Sequence, residues 1–167
     1  TGYNATATWT SAIATSGTYV VGTDTLTFSG FGGAWTGGAG ADTFDLGHSV
    51  ATVNGGNGAN VYNVNAVITS NLTGGTGNDT FNVANALTGT VDGGAGGTDT
   101  LQGAALSNAT LTASAATNEF SGTITGVTSF SNIDTLNASG TLTGRNVAST
   151  WTLNGATGTY NDATATL

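Results

Sequence analysis

The stretch "GGAGADTFDLGHSVATVNGGNGANVYNV", residues 37–64, holds nearly the same phrase twice, one opening at Gly37 and the other at Gly55. Extending that register gives four starts, Gly37, Gly55, Gly74 and Gly93, at intervals of eighteen, nineteen and nineteen. Apolar residues keep the same step. Trp35, Val53, Leu72 and Val91 each lie two places before their Gly pair, while Phe44, Tyr62 and Phe81 follow at a fixed distance, with Leu101 one place late. Two more columns read Leu46, Val64, Val83 and then Val50, Ile68, Leu87, Leu106. A step just under twenty, carried by strand-type residues, marks stacked units that each cover a neighbour's apolar face. The expected fold is all-β, a parallel β-solenoid (β-roll or β-helix) with coils of 18–19 residues. Successive coils would lie about 4.8 Å apart, with the columns as interior stacks and the backbone hydrogen bonds running along the rod.

Composition agrees with strands and turns. The 167 residues include 28 Gly but no Pro, Cys or Met, and β-branched residues alternate with Asn, Ser and Gly, which suit pleated surfaces and tight turns. With 6% charged and 38% hydrophobic residues, the chain lacks the high-charge, low-hydrophobicity signature of disorder. The net charge of -8 sets nine carboxylates against Arg145 alone, so no basic patch exists to hold a nucleic-acid backbone. No apolar run reaches the roughly 18 residues that span a bilayer, and no charged leader with an apolar stretch opens the sequence. Without cysteine, neither disulfides nor thiolate metal sites hold the fold. His48 and Glu119 are the only residues of their kinds. No carboxylate pair at a set distance supports glycosidase chemistry, and no catalytic residue is assigned; the expectation is that the chain is not an enzyme.

A longer repeat joins the ends. "TGYNATATWT" at 1–10 matches "TGRNVASTWT" at 143–152 in six of ten positions, and "GTYVVGTDTL" at 17–26 aligns with "GTYNDATATL" at 158–167, an offset of 141–142 residues. Residues 1–142 read as one full long repeat, with regular coils over about 35–106 and looser coils over 107–142, and 143–167 as the start of the next. The expectation is an excerpt from a tandem array. Trp9 and Trp151 are repeat equivalents and Trp35 belongs to an interior column, so all three are expected in the core.

The four turns "GGAGADTFD", "GGNGANVYN", "GGTGNDTFN" and "GGAGGTDTL" resemble the nonapeptide G-G-x-G-x-D-x-U-x of the RTX calcium-binding β-roll. The third matches fully and the first fits with Asp42; the second carries Asn60 in the acidic place, and the fourth has one extra residue before Asp99. The resemblance implies calcium held near Asp42, Asn60, Asp79 and Asp99, on turns built by Gly37, Gly38, Gly40, Gly55, Gly56, Gly58, Gly74, Gly75, Gly77, Gly93, Gly94 and Gly96. Calcium takes six to eight oxygens, which an aspartate and main-chain carbonyls of neighbouring coils can share. The intervening half-coils "LGHSVATVN", "VNAVITSNLT" and "VANALTGTVD" lack the motif, so only one edge would be equipped. The same residues also read as plain turn formers in a fold that stands without metal, and both readings stay open at this point.

The texture is similar to repeat regions of large RTX-type adhesins and filamentous-haemagglutinin-like proteins. That resemblance implies a secreted, extracellular role at a bacterial cell surface, in adhesion, fibre formation or biofilm matrix. The expected partner is the chain itself, end to end, with cell-surface or polysaccharide targets beyond it. A surface-layer lattice is the alternative, and the matching ends also permit a filament of protomers joined by strand donation.

Overall fold

The computed structural model describes residues 1–115 and 118–167, and strands are its only regular elements among the described residues. Four short strands, β5 (Thr43–Leu46), β7 (Val61–Val64), β10 (Thr80–Val83) and the start of β12 (Thr100–Ser114), pair in parallel with Phe44, Tyr62, Phe81 and Leu101 side by side. β15 (Thr135–Thr143) continues this first ladder, placing Leu136 beside Leu101. A second parallel ladder joins β4 (Ala34–Thr36), β6 (Thr52–Asn57), β9 (Asn71–Thr76), β11 (Leu87–Gly94) and β14 (Val127–Ile133), with Trp35, Val53, Leu72, Val91 and Phe130 in register. The two-residue β8 (Ile68–Thr69) sets Ile68 beside Leu87.

Alternation decides what is buried. Phe44 and Leu46 point inward while Thr43 and Asp45 point outward, and the pattern repeats in β7 and β10, as a period of two requires. Residues of both ladders contribute to one core. Within it Phe44 stacks on Tyr62 at 5.0 Å and Tyr62 on Phe81 at 4.6 Å, the rings within 17° and 16° of parallel. Outside, an amide ladder runs along the stack: Asn63 Nδ2 donates to Asp45 Oδ1 at 2.7 Å, Asn82 Nδ2 to Asn63 Oδ1 and Gln102 Nε2 to Asn82 Oδ1, both at 2.8 Å.

The sheet is largely parallel but has antiparallel parts at both ends. At the start, β1 (Thr8–Ile13), β2 (Ser16–Val21) and β3 (Asp24–Phe28) form an antiparallel meander whose first strand lies parallel to β5, with Trp9 beside Phe44. Trp9 packs on Tyr19 at 4.4 Å and Trp35 at 5.7 Å. At the other end the looser coils expected over 107–142 are replaced by a detour. β12 runs on to Ser114, and β13 (Phe120–Thr125) returns antiparallel to it and to β14. As a result the next residue after Val91 in its ladder is Phe130, twice the usual step along the chain, and Leu87 is followed by Val127 rather than by Leu106. The detour begins at Gly103, where φ is +142° and a side chain would collide with the backbone of Val83.

Residues 150–161 form a separate hairpin, β16 (Thr150–Asn154) with β17 (Thr157–Asn161). Trp151 corrects the expectation of three core tryptophans. It is 46% exposed, against 9% for Trp9 and 3% for Trp35. The difference lies in the neighbours: β1 has β5 along its second edge, whereas among the described residues β16 pairs with β17 alone.

Candidate functional site: a buried carboxyl column

Each Gly-Gly turn delivers its acidic or amide residue directly before a first-ladder strand, two places ahead of the inward-facing aromatic or leucine. Alternation therefore turns Asp42, Asn60, Asp79 and Asp99 toward the interior, and all four are buried. They form a single chain of hydrogen bonds along the stack. Ala7 N donates to Asp42 Oδ1 at 2.9 Å, Asp42 N to Asn60 Oδ1 at 2.9 Å and Asn60 N to Asp79 Oδ1 at 2.7 Å. Asp79 N then donates to Asp99 Oδ1 at 2.8 Å and Asp99 N to Asp134 Oδ2 at 2.7 Å. Each side chain thus satisfies the amide of the rung before it, a donor that burial would otherwise leave unpaired.

The glycines fit around this column. A Cβ at Gly74 would collide with Asp79 Oδ2 and with the Gly93 carbonyl of the next rung, and Gly37 stands in the same relation to Asp42 and Gly55. The second glycine of each later pair has positive φ, +84° at Gly56, +115° at Gly75 and +107° at Gly94, and lies against the preceding rung's carbonyl or amide. In the fourth turn the third-glycine place belongs to Gly97, which abuts the Gly77 carbonyl, while Gly96 faces open space. The extra residue bulges outward at Gly96, so the assignment of Gly96 to the motif shifts by one. The Gly-Gly-x-Gly pattern is accordingly demanded by how closely the rungs stack.

Burial sets the electrostatics. It pushes the carboxyl groups of Asp42, Asp79 and Asp134 above the usual carboxylate range, backbone donors pulling the other way. Asp99 is pushed up to about 7 by burial first, and then by the charges of Asp79, Asp134 and Glu119, against the donor from Asp79. The Tyr62 hydroxyl, also raised by burial and by Asp79, donates to the Thr73 carbonyl at 2.5 Å. Asp79 Oδ2 is buried with no partner among the described residues.

The calcium set implied by the turn motif can be tested against this geometry. Asp42 accepts at both oxygens, from Ala7 N and from Gly38 N. Asn60 Oδ1 accepts from Asp42 N, and its Nδ2 donates to the carbonyls of Gly58 and Gly74. Among the described residues no group of three or more His, Cys, Asp or Glu side chains could hold a metal ion. Asp79 and Asp99 each accept an amide proton at Oδ1, and Asp79 Oδ2 has no partner among the described residues.

Three features escaped the reading of the sequence. Asp134 is the fifth member of the column, and "NIDTL" beside "GTDTL" was the available signal. Ser11 takes the N–H groups of Gly47 and His48 on its Oγ, at 2.9 and 3.0 Å, and so fastens β1 to the loop after β5; His48 itself is exposed. Arg145 bonds Asp162 Oδ2 at 2.9 Å and also reaches Ser114, whose hydroxyl donates to the same carboxylate. Burial opposes the Asp162 charge, but Arg145, Ser114 and two backbone donors hold its carboxyl below the usual range. This clamp holds the β16–β17 hairpin against the end of β12. No family model matches the chain, and no curated protein or solved structure matches it.

Proposed function

We propose that this chain is a non-enzymatic structural repeat, a parallel β-solenoid, of an extracellular bacterial surface protein, where it serves as a length-giving element of an adhesin, fibre or biofilm-matrix filament. The observation that carries the reading is the use to which the polar groups are put. The Oδ1 atoms of the buried column accept backbone amides, and the outer Asp, Asn and Gln row bonds to itself. Neither leaves a converging set of reactive groups of the kind a catalytic pocket needs. Stacked rungs and a hairpin duplicated at 141–142 residues favour extension along one axis, since each unit contacts only its neighbours.

Electron microscopy of the native material tests this proposal. Long single threads are expected; a two-dimensional periodic sheet would overturn the fibre in favour of a surface-layer lattice.

A further inference from the structure

The duplicated sequence at the two ends folds into the same object. β1–β2 pairs Trp9 with Tyr19 and Thr10 with Thr18; β16–β17 pairs Trp151 with Tyr160 and Thr152 with Thr159. The aromatic pairs lie 4.4 Å apart at 53° and 4.8 Å apart at 66°. Each tyrosine hydroxyl accepts a backbone N–H from the corresponding position, Tyr3 to Tyr19 and Arg145 to Tyr160. Gly2 lies against the Trp9 ring and Gly144 against that of Trp151. What differs is the second edge. In β1 the carbonyls of Ala7 and Ser11 receive the N–H groups of Thr43 and Gly47, and alternation puts Trp9 on that edge too. The corresponding residues Ser149, Trp151 and Leu153 have no strand beside them among the described residues, and Leu153 is 79% exposed where Ser11 is 3%. All of β16 is exposed, and none of its residues is charged. Natural edge strands are commonly guarded by charge, proline or a bulge.

We infer that the free edge of β16 is a docking strand for β5 of a second copy of this chain, which takes it in place of its own β1. The inference rests on the fibre reading and specifies its joint. The register is the one the molecule already uses: Thr150 beside Thr43, Trp151 beside Phe44, Thr152 beside Asp45 and Leu153 beside Leu46, as for Thr8, Trp9, Thr10 and Ser11. Trp151 then covers Phe44 at the head of the aromatic stack. Leu153 extends the apolar column of Leu46, Val64 and Val83, which Ser11 interrupts. The N–H groups of Gly47 and His48 lose the Ser11 hydroxyl and turn to water at an exposed loop. Exchange replaces one hairpin by its near-duplicate, so most of what is broken is remade. The clamp of Arg145, Asp162 and Ser114 keeps the donor hairpin attached to its own body. Because donor and acceptor surfaces differ, the contact is heterologous, the type that builds a filament when its rotation does not close a ring.

The 167 residues carry no cysteine, so a disulfide can report the joint. With Asp45→Cys and Thr152→Cys together, oxidation is expected to give a ladder of multiples of the 16.2 kDa chain on a denaturing gel, lost on reduction. Within one chain residue 45 faces Thr10, so only exchange brings the two cysteines together. Adding Leu153→Pro, which removes an edge N–H at an exposed position, is expected to abolish the ladder while leaving the circular dichroism unchanged. Oxidation that yields only the single-chain band overturns the inference. So does cross-linking of Thr152→Cys to Thr25→Cys on β3, which would mean edge stacking without exchange. If the native material forms threads yet the cysteine pair stays reduced, this joint falls and the fibre stands; a ladder from material that forms sheets gives the reverse.

Discussion

Asp99 shows how one residue tunes the fold. Its carboxyl group titrates near 7 in the folded chain against an ordinary 3.8, so the folded state holds the proton more tightly than the unfolded state does. The stability it contributes is complete below about pH 3.8 and is lost as pH rises through about 7. Asp42, Asp79 and Asp134 shift in the same direction. The melting temperature is therefore expected to be higher at pH 5 than at pH 8, and Asp99→Asn should raise the pH 8 value and flatten the slope. Thermal melts followed by circular dichroism check both, and a chain that grows less stable between pH 8 and 5 would contradict the column. Asp162 acts oppositely, but its lowered carboxyl matters only below about pH 3.8. At Gly74 the constraint is steric. Gly74→Ala places a methyl group against both Asp79 and the Gly93 carbonyl, and urea unfolding should show a loss of about 3 kcal/mol or more.

Among the elements, the β16–β17 hairpin is the most separable. Among the described residues it shares no sheet hydrogen bonds with the rest, and it is held by the Arg145 clamp and by Tyr160 against Phe120 at 5.8 Å. Arg145→Ala leaves Asp162 buried and without its cation, which is costly. Amide exchange in residues 150–161 should accelerate while the first-ladder strands keep their protection; uniform acceleration throughout would show the hairpin to be part of one cooperative unit. The elements also mark how far the sequence could be read. Columns repeating with the Gly37, Gly55, Gly74 and Gly93 starts became strands in register, because a stacked chain must return to the same place at each rung. The β12–β13–β14 detour was not legible in this way, since alternation looks the same in parallel and antiparallel strands. Trp151 was misplaced because equivalence to Trp9 carries over the residue but not its neighbour β5. The inward turn of Asp42 and its counterparts was legible in principle, two places before Phe44.

On the scale of the whole molecule, the fold rests on stacked apolar columns and on side chains that complete the backbone hydrogen bonds. Asp42 accepts N–H donors at both oxygens and Asn60, Asp79 and Asp99 at Oδ1; if these bonds alone hold the column, excess EGTA leaves the melting temperature unchanged. A clear drop would return calcium to the turns.

The direction of the ladder bonds has a mechanical consequence. They run along the stack, so a pull on the two ends loads the outermost rung first, and the next is strained only when that one has gone. Each released rung frees the chain between one column residue and the next, as from Val53 to Leu72. That is about 65 Å of slack, where the folded rung had occupied about 4.8 Å. A thread of the proposed kind would lengthen in fixed increments under load and absorb work at each one, behaving as a shock absorber before it behaved as a rope.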